Sequence, residues 1–386
     1  MAIPKKVRPL HSMTGLYIHI PFCRQACHYC NFHFSTQLKH INPLVDAICA
    51  EIDQYHATTS HAPLHTIYFG GGSPSLLSPQ QLHRIFEAIH RKFNTQNCVE
   101  ITLEANPEDI DPTNLQQWKE LGINRLSLGI QSLNNEELQW MNRAHTAEQS
   151  LQAVELCNAA GFQNLSIDLI YGSEKKSLDQ WKSELQWALQ CGANHLSCYA
   201  LTIEEKTAFG KWAKDKKLIP PADEHAEEQF HYLSQWAAEN QWEHYEISNL
   251  CKPQHRAIHN SNYWAGHPYI GIGPSAHSFD GQTRRWNVSS NHQYMHCIQN
   301  NLPVFEEEIL TKSNKINEYL LTQLRTTEGA EIQQLEKLWP GFIEEKQSTI
   351  QSLQTKHQLQ ATQTNLLIPS TARFLADAIT VELMMD

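Results

Sequence analysis

The chain has 386 residues, 41% of them hydrophobic and 18% charged, with a formal net charge of −11. That length accommodates one large α/β domain with a smaller appendage, and an acidic balance with no Lys/Arg cluster argues against nucleic acid as the main partner. Its apolar runs are too short to cross a bilayer, and no apolar stretch of signal-peptide length follows Lys5, Lys6 and Arg8.

Short β-branched or aromatic runs at 16–20, 66–69, 99–104, 125–129, 164–170 and 195–200 read as strands. Between them lie helical patterns at 43–56, 79–92, 114–121, 147–160 and 178–190. Gly122, Gly161 and Gly192 stand where helix C-caps are expected. Such alternation predicts parallel strands joined by crossover helices, here a partial (β/α)6 barrel of the α/β class. Functional residues then belong at the C-terminal strand ends. From about Lys206 the period is less regular. A helical stretch at 222–241 leads into a Gly/Asn/Ser/Pro-rich loop region up to about Asn291. The Gln-rich tail from Asn314 reads as a smaller, mainly helical C-terminal domain. The expected division is a core barrel at 1–205, an extension at 206–313 and a small domain at 314–386.

Ten cysteines outside any disulfide-like pattern suit a reducing compartment, so a cytoplasmic protein without stable membrane insertion is expected. Peripheral membrane association is compatible with that. Twenty-two histidines are too many to mark a metal site by their number alone.

Three cysteines carry the most chemistry. Cys23, Cys27 and Cys30 follow the first strand with the spacing C-x3-C-x2-C. Thiolates so spaced can hold a [4Fe–4S] cluster, leaving one iron open to a small ligand. Three other readings stand beside this one. Cys27 and Cys30 could form a thioredoxin-like dithiol. A Cys3His zinc site could use His28 or His33. Unpaired cysteines could also simply pack in a core.

After the second strand come Gly70, Gly71, Gly72, Ser73 and Pro74, a run that lets backbone approach a ligand closely or makes a flexible turn. Further polar residues stand at or beyond strand ends: Glu104, Gln131, Arg143 and Asp168. Taken together, the cysteine motif, the glycine run and these residues resemble the radical S-adenosylmethionine (SAM) superfamily. Within it they resemble the subfamily that comprises the oxygen-independent coproporphyrinogen III dehydrogenase HemN and the heme chaperone HemW. The resemblance covers roughly residues 15 to 330. It implies that Cys23, Cys27 and Cys30 hold the cluster. It also implies that Tyr17, Phe32, Gly71, Gly72, Ser73, Glu104, Gln131, Arg143, Asp168 and Ala200 surround SAM.

Three features lean toward the chaperone branch. Phe32 stands where the dehydrogenase has a fourth cysteine, and only twenty-two residues precede Cys23, where that enzyme has a longer arm. His259, Asn260, Tyr263 and Trp264 fit H-N-x-x-Y-W, which in the chaperone branch is associated with heme. Imidazole is a common axial ligand of heme iron, and the two aromatics could cover a macrocycle. Alternatively, the motif is a loop closed by a histidine hydrogen bond. Arg284 and Arg285 could meet heme propionates or lie in an exposed turn. Residues 269–278 resemble the loop that closes over SAM. The implied function is binding heme and transferring it to heme-dependent respiratory proteins, with the acceptor unidentified. The runner-up is an enzyme that uses SAM-derived radical chemistry to decarboxylate coproporphyrinogen III. A zinc-dependent structural protein is a third, weaker reading.

Overall fold

The computed structural model describes residues 14–55 and 63–386; Lys5, Lys6, Arg8 and His56 lie outside the described residues. Six strands run parallel and pair in sequence order: β1 (Thr14–Ile20), β2 (Leu64–Gly71), β3 (Glu100–Ala105), β4 (Arg125–Gln131), β5 (Asn164–Tyr171) and β6 (His195–Ala200). The helices between them are α1 (Ile41–Gln54), α2 (Pro79–Lys92), α3 (Pro112–Glu120), α4 (Asn135–Trp140), α5 (Ala147–Ala159) and α6 (Leu178–Gln190). The expected α/β partial barrel is therefore present.

Local signals explain the well-placed helices. Ser78 with Gln81, and Ser177 with Gln180, form reciprocal capping boxes that start α2 and α6. Gly122, Gly161 and Gly192 follow the ends of α3, α5 and α6 with positive φ, as the cap reading requires. The short helix α4 escaped the sequence reading, because one and a half turns show no period.

The strands have two chemically different faces. Leu16, Ile18, Ile67, Phe69, Leu126, Leu128, Ile167 and Leu169 are fully buried in one core with helix residues such as Ile85, Phe86 and Trp181. Alternate residues lie on the other face, as the two-residue strand period requires. These are Tyr17, His19, Thr66, Tyr68, Thr102, Glu104, Ser127, Ser166 and Asp168. They bond across strands: Ser127 donates to Asp168 at 3.1 Å, and Ser166 pairs with His195 at 2.7 Å. The interior of the partial barrel is thus polar, while its outer face packs on helices.

Residues 206–313 contain α7 (Ala208–Lys214), α8 (Asp223–Glu239), β7 (Glu243–His244), β8 (Asn249–Cys251), α9 (Ile258–Trp264), β9 (Tyr269–Ile272), β10 (His277–Phe279), β11 (Thr283–Asn287), α10 (Asn291–Gln299) and β12 (Phe305–Ile309). The helix expected at 222–241 is present as α8, whereas the region after it, expected to be loop, extends the main sheet. The twelve strands follow the order β12-β11-β10-β9-β1-β2-β3-β4-β5-β6-β8-β7. β9 joins β1 in parallel, and β8 joins β6 antiparallel. These strands are two to five residues long, too short for alternation to register in sequence. Beyond them, Leu320, Leu335, Phe342 and Leu353 belong to a second hydrophobic cluster. It is formed mainly by helices, with a three-stranded antiparallel sheet of Ala330–Glu331, Asn365–Leu367 and Gln360–Ala361.

One buried carboxyl ties the extension to the barrel. Glu51 on α1 accepts hydrogen bonds from the Gly273 amide (2.8 Å), the Asn287 amide (2.7 Å) and the Tyr294 hydroxyl (2.5 Å). Burial raises its pKa from 4.5 to about 7, although all three donors oppose the shift. The native state therefore holds this proton more tightly than the unfolded chain does. The group's contribution to stability is complete below pH 4.5 and is lost as pH rises to about 7. Glu51→Gln removes that dependence. Urea unfolding of both proteins should show the wild type losing about 2 kcal/mol relative to the variant between about pH 5 and about pH 8. A constant difference would mean that the three donors keep Glu51 ionised throughout.

Candidate cofactor pocket

The loop after β1 is fastened before any side chain is considered. The Ser35 amide donates to the Pro21 carbonyl, and the Cys23 amide donates to the Ser35 carbonyl, so the two ends of the cysteine loop close on each other. The His28 amide reaches the Met141 carbonyl, and the Phe209 amide reaches the His28 carbonyl. Asn142, at φ 58°, donates to the Ala26 carbonyl and accepts from Gln25. Arg24 forms an ion pair with Asp109 at 2.7 Å.

This loop borders a cavity of about 450 Å³ at the C-terminal ends of the parallel strands. Cys23, Cys27, Cys30 and Phe32 line it from the loop. Gly71 ends β2 and Gly72 and Ser73 follow it, Glu104 is the penultimate residue of β3, Gln131 ends β4, Arg143 follows α4, Asp168 lies on β5, and Ala200 ends β6. The sequence-predicted residues therefore converge on one cavity, with two exceptions. Tyr17 lies one layer deeper, stacked on Tyr68 with its hydroxyl 3.0 Å from His19 Nδ1. His259 is buried away from the cavity. Residues 269–278, read as a covering loop, do not line it either; they hold β9 and part of β10 instead.

Backbone geometry shapes the pocket. The Gly72 amide donates to the Ile20 carbonyl and the Ser73 amide to the Phe22 carbonyl. A Cβ on Gly72 would meet the Phe22 carbonyl oxygen at 2.5 Å. Gln131 adopts φ 67°, uncommon for a side-chain-bearing residue, where the β4–β5 register shifts. That irregularity places Gln131 at the cavity wall.

A guanidinium links the parts. Arg143 donates to Cys27 Sγ at 3.5 Å, to Asn106 Oδ1 at 2.7 Å and to the Gly129 carbonyl at 2.7 Å. Asn106 in turn donates to Ser73 Oγ at 2.7 Å, and Ser73 donates to Cys23 Sγ at 3.7 Å. Burial alone would lower the Arg143 pKa, but Tyr29, Cys27 and Glu108 beside it raise it, so the residue is a fixed cation. Its Nε is buried and has no hydrogen-bond partner among the described residues.

The donor set fits an iron–sulfur cluster. Burial pushes the Cys23 thiol up to about 12 and raises that of Cys30. A redox-active dithiol needs the opposite shift. Buried thiols of this kind become thiolates when metal cations draw off their protons. Neither His28 nor His33 joins the three cysteines in lining this cavity. His28 Nδ1 bonds the Trp140 carbonyl at 2.8 Å, and His33 Nε2 bonds Asn291 at 2.7 Å. The remaining wall fits a cationic ligand. Burial raises Glu104 to about 7 and Asp168 to about 6, and a positive group beside them would return both to carboxylates.

The family model described as the Radical SAM superfamily matches residues 17–188. The chain is 32% identical to the heme chaperone HemW of Lactococcus lactis, over 85% of this chain and 85% of that one. It is 35% identical to the heme chaperone HemW of Synechocystis, over 83% of this chain and 80% of that one. The chain belongs to the HemW family. The coproporphyrinogen III oxidase HemN from Escherichia coli, a radical SAM enzyme, shares the fold with a TM-score of 0.85 at 20% identity, covering 98% of this chain and 92% of that one.

In this HemW-family chain, several residues that shape the pocket went unread in the sequence. Asn106 bridges Arg143 and Ser73, and its only signal was a polar residue just past a strand end. Tyr199 lines the cavity from β6 but reads as an ordinary strand aromatic. Arg284 and Arg285 lie on β11 rather than in a turn, paired with Glu318 and Glu307 at 2.8 and 2.7 Å.

The Gly72 contact makes a direct prediction. Gly72→Ala forces the backbone at Phe22 away, costing about 1–3 kcal/mol and moving the start of the cysteine loop. The denaturation midpoint and the iron content after reconstitution should both fall. If both match wild type, the close approach has no bearing on the pocket.

Proposed function

We propose that the chain is a heme chaperone, which binds heme and passes it to heme-dependent respiratory proteins while holding a [4Fe–4S] cluster and SAM. The observation that carries this reading is HemW-family identity running through more than four-fifths of the chain. The likeness to HemN is one of fold and does not by itself favour the decarboxylating enzyme. No helix among the described residues is long and apolar enough to cross a membrane. Ten cysteines outside any disulfide-like pattern suit a reducing compartment, and on that ground we place the protein in the cytoplasm.

In this proposal Cys23, Cys27 and Cys30 hold the cluster, which supplies an iron open to a chelating ligand. Arg143 sets a positive charge beside Cys27 and keeps it oriented through Asn106 and the Gly129 carbonyl. Gly71, Gly72 and Ser73 present backbone to SAM without side-chain obstruction. Glu104 and Asp168 supply the acceptors for its positive and hydroxyl groups. Gln131 and Ala200 complete the wall, and Phe32, 74% exposed, stands at its mouth. Tyr17 acts from the layer beneath.

Heme is the cargo, and His259 is the proposed axial ligand. Burial lowers its pKa to about 3, so the imidazole is neutral, the form that ligates iron. In the closed arrangement Nδ1 bonds Thr66 Oγ1 at 2.7 Å and Nε2 bonds the Tyr263 hydroxyl at 2.9 Å. Ligation therefore requires Tyr263 to release Nε2 and α9 to swing outward.

An anaerobic heme titration followed by visible absorption tests the reading. Wild type should saturate near one heme per chain, and His259→Ala should weaken binding by about tenfold or more. Absence of specific binding in wild type would sink the chaperone proposal. Equal affinity in the variant would keep the heme function but remove His259 as its ligand.

A further inference from the structure

The polar interior of the barrel contains a contact chain that leads from the 259–264 motif to the cofactor pocket. His259 sits at its lower end. Its amide donates to Glu100 Oε1 at 2.8 Å, and Thr66, near the start of β2, holds its ring. A Cβ on Gly15 would come within 3.1 Å of that ring, so the first strand also closes around it. The imidazole lies against Tyr68, with centroids 5.0 Å apart and planes 29° from parallel. Tyr17 stacks on Tyr68 as well, at 6.0 Å and 30°.

At its upper end the Tyr68 hydroxyl donates to Glu104 Oε1 at 2.7 Å. The Gly71 amide donates to Glu104 Oε2 at 3.1 Å. Two donors on two different oxygens fix the carboxylate's rotation and leave its remaining lone pairs for the cavity. Gly70 makes the pair possible, since a Cβ there would meet Tyr68 Cε1 at 2.8 Å and Glu104 Oε1 at 2.9 Å. Neither Tyr68 nor His259 lines the cavity, whereas Glu104 does.

We propose that Tyr68 is a positioning residue for the cofactor pocket and that His259 acts on the pocket through it. His259 and Tyr17 clamp the Tyr68 ring; its hydroxyl aims the Glu104 carboxylate at the ligand. The motif associated with heme thereby also sets how well SAM is held, and a movement of α9 that frees His259 unclamps Tyr68. This rests on the proposal that Glu104 meets SAM.

The test uses the full-length, anaerobically cluster-reconstituted protein. SAM is titrated while the electron paramagnetic resonance spectrum of the reduced cluster is followed, with iron content measured in parallel. Tyr68→Phe keeps the ring and its stacking but removes the hydroxyl. It should weaken SAM binding about tenfold, the scale of a lost hydrogen bond to a charged group, at unchanged iron content. His259→Ala should weaken SAM binding in the same direction, and in the Tyr68→Phe background it should add little, because both act through one contact. Glu104→Gln separates the two ideas. Weak SAM binding in Glu104→Gln with wild-type affinity in Tyr68→Phe would overturn the positioning role alone. Wild-type affinity in Glu104→Gln would overturn the assignment of Glu104 to SAM, and the inference with it.

Discussion

The buried guanidinium of Arg143 is the contact on which the pocket depends. It gathers Cys27, the end of β4 and Asn106 into one hydrogen-bonded unit, and Asn106 carries the link to Ser73 and so to Cys23. Four segments distant in sequence are thus linked around one cation. A planar fork can do this because its donors point in fixed directions; an ammonium in the same place would satisfy fewer partners. The cost of burying the charge is offset by the hydrogen bonds it donates and by the Glu108 carboxyl beside it.

The barrel divides into an upper chemical layer and a lower structural one. Above, the cysteine loop and the strand ends enclose the cavity. Below, α9 presents His259 to Thr66 and Tyr68, and the short strands after β6 extend the sheet on both sides. Glu51 ties the extension to the barrel by gathering Gly273, Asn287 and Tyr294 onto α1. A chaperone needs to hold its cargo and then release it. In the structure the motif is enclosed and tied by contacts to the cofactor pocket, so the proposed outward movement of α9 would release those contacts together.

Much of the upper layer was legible in the sequence, because its signals are local. Cysteine spacing, a glycine run after a strand and polar residues at strand ends are all read within a few positions. The helices α2 and α6 were bounded correctly because Ser78 and Ser177 cap them. What the sequence concealed depends on contacts between distant segments. Tyr68 and His259 are 191 positions apart, and nothing local to either announces the stack. Residues 269–272 read as a Gly-rich loop, but pairing with β1 makes them a strand. Tyr17 shows the converse: the motif match put it beside the ligand, while the strand period put its side chain one layer lower.

The central claim is that three thiols and Arg143 build a cluster site open to SAM. Its most direct test is metal and sulfide analysis of anaerobically reconstituted wild type beside a variant in which Cys23, Cys27 and Cys30 are all serine. The account predicts iron and inorganic sulfide in cluster proportion in the wild type and neither in the variant. Zinc in place of iron, or a cluster that survives loss of the three cysteines, would contradict it.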